Sequence, residues 1–209
     1  MIQLFVVGDS ISMQYGPYLE RMVAGEMTYA RKQGTENGSH SLDYPSGPNG
    51  GDSSMVLAYL CDKCADSTFT PDCLLINCGL HDIKTDPATG ARQVEAEQYA
   101  GNLTQIMEIV RDADLPLVWV RTTPVNDEQH NSSGRDFVRY DKDVIEYNAI
   151  ADAIVARAGY PTIDLYTFTS ALDGDLHEDG VHFTERVRAL QAAFIAGHLL
   201  GWLQEEEEE

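Results

Sequence analysis

Short unbroken apolar runs alternate along this chain with longer segments in which apolar positions return every three or four residues. The runs Ile2–Val7, Met27–Ala30, Cys73–Asn77, Pro116–Arg121 and Thr162–Leu165 have the length of strands, and all but Met27–Ala30 carry Val, Ile or Leu. The helical period marks segments near Tyr15–Ala24, Asp52–Asp62, Val94–Asp112, Tyr140–Arg157 and Glu185–Leu203. A strand that is apolar at every position is buried on both faces, and intervening helices supply the crossovers that parallel strands need. The pattern predicts an α/β fold in which a parallel sheet is covered on both faces by helices.

The connecting segments GTENGSHSLDYPSGPNGG, LHDIKTDPATG, TTPVNDEQHNSSGRD and LDGDLHEDGVH are dense in Gly, Pro, Asn, Asp and Ser. The last three follow a strand run or its immediate sequel, which puts them at the carboxyl edge of the sheet, where open α/β sheets bind ligands. No internal repeat or linker divides the chain, and its 209 residues at 43% hydrophobic content suit one core. Residues 1–204 are read as a single domain. The run Glu205–Glu209 is read as a disordered acidic tail, since it cannot bury apolar surface.

Charge narrows the choice of partners. The formal net charge is −20, and removing the five terminal glutamates still leaves −15. Such a surface repels nucleic-acid phosphates and anionic membranes, so a small-molecule ligand is expected and the oligomeric state stays open. The start MIQLFVVGDS has no basic leader and too short an apolar run for a signal core or membrane span, so a cytoplasmic location is the expectation. Were the protein secreted, the Asn-x-Ser/Thr triplets at Asn37, Asn102 and Asn131 would become glycosylation acceptors. The CDKC pair, Cys61 and Cys64, with Cys73 and Cys78 beyond it, has the opening spacing of a zinc site. The alternative, reduced structural thiols with Cys73 and Cys78 on a buried strand, is preferred, and no metal or other cofactor is expected.

Two short motifs carry chemistry. Gly8-Asp9-Ser10 closes the first strand ahead of a helix, exposing the Ser10 hydroxyl at a strand-to-helix turn. The free N–H groups and positive end of that helix suit the oxyanion formed when a hydroxyl attacks an ester carbonyl. Alone, Ser10 reads equally well as a helix cap. Near the C-terminus, Asp179 and His182 stand three residues apart in DGVH, just before the final helix. A histidine serves as base to a serine when its second ring nitrogen is held by an acceptor, and one loop here carries both groups. An isolated DxxH reads as a surface turn.

Taken in order, GDSIS at 8–12, NGGDSS at 49–54, GLHD at 79–82 and DGVH at 179–182 resemble the sequence blocks of the SGNH (GDSL-like) hydrolase family. The resemblance spans nearly the whole chain. It implies a three-layer α/β/α sandwich with a five-stranded parallel sheet, flavodoxin-like in plan, and metal-free ester hydrolysis through Ser, His and Asp. Ser10 then matches the nucleophile, Asp179 and His182 the remaining triad, and Gly51 the glycine whose N–H joins Ser10 N–H in the oxyanion hole.

The third block departs from the family pattern GxND, for His81 stands where the family has Asn. An imidazole N–H can donate as an amide does, which makes His81 the third oxyanion donor in the expected site. A strand-end histidine bonded to Asp82, or a weakened site, are the alternatives. Gly51 also fits a turn ahead of a helix capped by Asp52. His177 is a rival base without an aspartate three residues before it, since that position is Gly174. Tyr15, Tyr44 and the loop Thr122–Asp127 are expected to line a pocket beside Ser10. The expected activity is a serine esterase acting on a short acyl group, acetyl foremost, carried by a carbohydrate. An acyltransferase on the same triad and a carbohydrate-binding protein with weakened catalysis are the alternatives.

Overall fold

The computed structural model describes residues 1–33, 45 and 47–208, with side chains to residue 202. Five strands, β1 (Ile2–Val7), β2 (Met27–Arg31), β3 (Cys73–Ile76), β4 (Leu117–Val120) and β5 (Thr162–Ile163), form one sheet. The order is β2-β1-β3-β4-β5 and every pair is parallel. From β1 the chain first moves outward to β2, then returns to place β3 on the other side. That reversal makes the carboxyl ends of β1 and β3 the topological switch point, where a cleft opens between diverging connections.

Seven helices complete the described residues: α1 (Ser10–Val23), α2 (Ser53–Cys64), α3 (Ala96–Asp112), α4 (Asp127–Asn131), α5 (Asp141–Ala158), α6 (Leu165–Ser170) and α7 (Glu185–Glu208). Helices α1, α6 and α7 pack together as one layer, and α2, α3 and α5 as the other. Between them the central strands β3 and β4 are buried at every position, as their unbroken apolar runs require. Leu4, Val6, Leu74, Ile76 and Trp119 are fully enclosed and tie both layers to the sheet. The three-layer five-stranded architecture is therefore the one expected.

Several expectations need correction. Helix α1 starts at Ser10 rather than Tyr15, because Asp9 caps it through a hydrogen bond from Ile11 N–H at 2.9 Å. Helices α4 and α6 fall within segments read as loop and strand end. Asn126 and Asp164 cap them, accepting from Gln129 N–H and Thr167 N–H, so their start signals lie in single polar residues. Helix α7 continues through Glu208 instead of yielding to a disordered tail at residue 205, consistent with the good helix propensity of glutamate.

Asn102 and Asn131 are engaged inside the fold. Asn102 Nδ2 donates to Ser53 Oγ at 2.8 Å, and Asn131 makes a reciprocal pair with the backbone of Arg139. Asn37 lies outside the described residues, as do His40 and Tyr44. All four cysteines are free thiols, with Cys73 and Cys78 buried. Among the described residues no helix is long and apolar enough to cross a membrane.

Candidate active site

Strand β1 delivers Gly8, Asp9 and Ser10 to the switch point. Gly8 has no room for a side chain, since a Cβ there would lie 2.9 Å from Ser12 Cβ and Oγ. Asp9 is buried; burial raises its pKa, opposed by the Ile11 N–H bond and by Arg139 and His182 nearby. Its Oδ1 holds the helix start, which leaves Ser10 as the first helical residue, with an N–H that has no acceptor one turn back.

The structure brings Ser10, His182 and Asp179 together across 172 residues of chain. Ser10 Oγ lies 2.9 Å from His182 Nε2, and His182 Nδ1 lies 2.8 Å from Asp179 Oδ2. With Nδ1–H donated to the carboxylate, Nε2 presents its lone pair to the serine hydroxyl. Asp179 Oδ1 accepts two backbone N–H groups, from Val181 at 3.1 Å and His182 at 2.8 Å. Partial burial would raise the Asp179 pKa, but the His182 ring and these N–H donors hold it well below the usual carboxylate range.

The loop that carries Asp179 and His182 is fastened by its neighbours. Gly180 adopts φ +88°, and a Cβ there would meet His130 N at 2.4 Å and Asn126 O at 2.8 Å. Its carbonyl accepts Asn126 N–H at 2.8 Å, and Phe183 N–H reaches Gln14 Oε1 on α1 at 3.3 Å. His177, the rival base, is spent elsewhere: its Nε2 donates to Pro124 O at 3.2 Å and its ring packs on Phe183. Arg135 places NH2 2.8 Å from Asp179 Oδ2, the same oxygen that accepts from His182.

The opposite wall consists of the second and third blocks. Gly50 N–H donates to Gly8 O at 2.8 Å, stitching the block to the end of β1. Gly51 has φ +77°, a conformation that favours glycine. Its N–H, expected to face substrate, instead donates to Asn49 Oδ1 at 2.9 Å. Arg31 and Lys32, from the end of β2, bind the carbonyls of Pro48 and of Gly47 and Asn49, holding this turn from outside.

His81 follows β3 and is buried, with Nδ1 lacking a hydrogen-bond partner. Burial first, then the charges of Lys84, Arg139 and His182, lower its pKa well below the ordinary value, so the ring is neutral and carries one N–H donor. The expected alternative partner, Asp82, is occupied otherwise: both its oxygens accept Ser53 N–H at the start of α2, at 2.9 and 3.1 Å. Burial raises the Asp82 pKa to about 7.

Of the expected pocket walls, Tyr44 lies outside the described residues and the other two serve the scaffold. Tyr15 is a core residue, and with Ile11, Ser12 and Thr123 it borders a void of only about 10 Å³. The Thr122–Asp127 loop is scaffold: Thr122 exchanges two hydrogen bonds with Asn148, and Val125 N–H donates to Asp141 Oδ1. A larger groove, about 490 Å³, is lined by Pro45, Lys84, Asp86, Gln93, Asp136 and Phe137, among others. It adjoins the site, for Pro45 abuts Gly51 and Lys84 bears on His81. Arg135 and Arg139, whose Nε binds Leu80 O at 2.7 Å, had no motif around them to announce a role.

A family model described as the GDSL-like lipase/acylhydrolase family matches residues 6–190. Among curated proteins no match is found. The fold superposes on a lipase/acylhydrolase from Enterococcus faecalis with TM-score 0.70 at 19% identity, covering 96% of each chain. An acetyl xylan esterase aligns with TM-score 0.68 at 15% identity, over 94% of this chain and 99% of that one. A carbohydrate esterase family 3 protein from Talaromyces cellulolyticus aligns with TM-score 0.67 at 17% identity, over 98% and 99%.

Proposed function

Because the chain belongs to the GDSL-like lipase/acylhydrolase family and is a carboxylic ester hydrolase, we propose that it removes a short acyl group, acetyl foremost, from a carbohydrate hydroxyl using Ser10, His182 and Asp179. The observation that carries the reading is the continuous contact from Ser10 Oγ through His182 to Asp179, at 2.9 and 2.8 Å.

In the proposed cycle His182 Nε2 takes the Ser10 proton as Oγ bonds to the ester carbon. Asp179 holds the imidazole in the productive tautomer and balances its positive charge. The oxyanion is stabilised by Ser10 N–H and a ring N–H of His81. The tetrahedral adduct collapses, the C–O bond to the alcohol breaks, and His182 returns its proton to the leaving oxygen. Water, deprotonated by the same nitrogen, then releases the acid from Ser10.

Support for a carbohydrate as the alcohol comes from the adjoining groove, where Asp86, Gln93 and Asp136 bring hydrogen-bonding groups to one lining beside Phe137. The likeness to an acetyl xylan esterase and a family 3 carbohydrate esterase agrees with this choice. The net charge of −20 favours a neutral substrate over a polyanion.

The test is hydrolysis of aryl acetate, longer aryl esters and acetylated xylo-oligosaccharides by wild type and Ser10→Ala. Wild type should prefer acetate, and Ser10→Ala should lose at least about 10³-fold in kcat with the fold intact. Full activity in Ser10→Ala would remove this reading.

A further inference from the structure

Asp179 carries two cationic claims on one oxygen. His182 Nδ1 and Arg135 NH2 both lie 2.8 Å from Oδ2, while Oδ1 is filled by the backbone N–H groups of Val181 and His182. Two nitrogens each 2.8 Å from one atom are within about 5.6 Å of each other, so a protonated His182 would face a permanent guanidinium charge at short range. Arg135 is also tethered through NH1 to Ser133 Oγ at 2.5 Å, and its side chain is only 20% exposed, so the charge is held in place.

We propose that Arg135 is a positioning residue which shares the charge of Asp179 with His182, and so sets where the acid limb of the activity profile falls. The inference rests on the esterase reading of the triad. An aspartate bonded only to histidine lends its whole charge to the imidazolium, which favours the charged ring. A guanidinium on the same oxygen takes up part of that charge and repels the imidazolium directly. The acid limb of activity then lies at lower pH than it would without the guanidinium. Arg135 achieves this without touching Ser10, because it acts through the carboxylate.

Other charged and titratable groups stand near the pair among the described residues, including Arg139, which acts on Asp9 and His81, and Asp141, which acts on His177. Asp9, beneath Ser10, attracts the charged ring, and His81 stands on the oxyanion side. His177 bears on both Asp179 and His182 from within the same loop, with its Nε2 donated to Pro124 O. Glu178, the neighbour of Asp179, is paired with Arg188 at 2.5 Å and directed away. Arg135 alone among these groups bonds the carboxylate oxygen that orients the base.

The experiment measures two rates between pH 4 and 9 in wild type, Arg135→Gln and Arg135→Lys: kcat/KM on aryl acetate, and Ser10 labelling by an aryl phosphonate. Loss of the charge in Arg135→Gln should move the acid limb of both profiles upward by about 0.5–1 pH unit. At pH 5 this reads as a roughly three- to tenfold loss, with little change at pH 8. Arg135→Lys, which keeps the charge, should hold the acid limb near the wild-type position. An equal loss at every pH with the limb in place would make Arg135 a structural tether and overturn the proposal. A limb displaced equally in Arg135→Lys would overturn it too. If the phosphonate labels Ser10 while no ester turns over, the labelling profile still decides; if Ser10 is not labelled at all, the esterase reading itself fails.

Discussion

At the scale of single residues, the unusual feature is a buried histidine, His81, at the position where the resemblance implies an amide. Its burial suits a donor whose protonation should stay constant through the working range. Replacement by the family residue, His81→Asn, should therefore keep activity within about tenfold of wild type. His81→Ala should lose about 10²- to 10³-fold in kcat with KM little changed, since an oxyanion donor acts mainly in the transition state. Aryl acetate kinetics at pH 7 separate the two outcomes. The same residue predicts a pH dependence of stability. Its folded pKa lies below the unfolded value near 6.5, so acid protonates the unfolded chain first and stability falls as pH drops through about 6.5. Asp82, raised to about 7 by burial, slopes the other way between about pH 4 and 7. Urea titrations of wild type and His81→Asn at pH 5 and 8 isolate the histidine as a difference. Wild type should lose more stability than the variant on going to pH 5, by about 2 kcal/mol.

At the scale of elements, the site depends on how the loop Asp179–His182 meets α4, a helix of five residues that no apolar period announces. Gly180 packs backbone to backbone against it. Gly180→Ala brings a Cβ onto His130 N and also strains a φ of +88°, so the loop must move away and carry His182 with it. Activity should fall by at least about 10²-fold, because a displacement of about 1 Å has that effect on aligned groups. Circular dichroism should show the fold retained, and native-like activity would show that the loop position is not critical. The caps explain why the serine itself was legible while its helix start was not. Asp9 and Ser10 are polar and fall outside the apolar period, yet one carboxylate–amide bond sets the first turn where Ser10 stands.

At the scale of the whole molecule, two helical layers on a central apolar sheet bring distant blocks to one switch point, while the surface carries an excess of negative charge. Like charges repel more in the compact state than in the expanded one, and salt screens them. Raising NaCl from 10 to 150 mM should increase the melting temperature by about 2–4 °C, equivalent to about 1 kcal/mol for a chain of this size. A flat or falling trend, read by differential scanning fluorimetry, would mean that pairs such as Arg92 with Asp143 and Glu146 outweigh the net repulsion. The core itself should be less forgiving. Leu74→Ala, at a fully enclosed position of β3, should destabilise by about 2–5 kcal/mol in urea unfolding.

The layers and the candidate groups were legible in the chain alone. Apolar runs of strand length read as strands, helical periods as their covers, and the ordered motifs single out Ser10, Asp179, His182, Gly51 and His81. Tertiary structure decided what those groups do to one another. It took Gly51 N–H for Asn49, gave Asp82 to Ser53 and His177 to Pro124, sent Tyr15 into the core, and put Arg135 on Asp179. These are hydrogen-bond choices among neighbours far apart in the chain. Local pattern reports which face of an element is apolar, whereas the partner of a buried polar group depends on which loops the fold brings within about 3 Å.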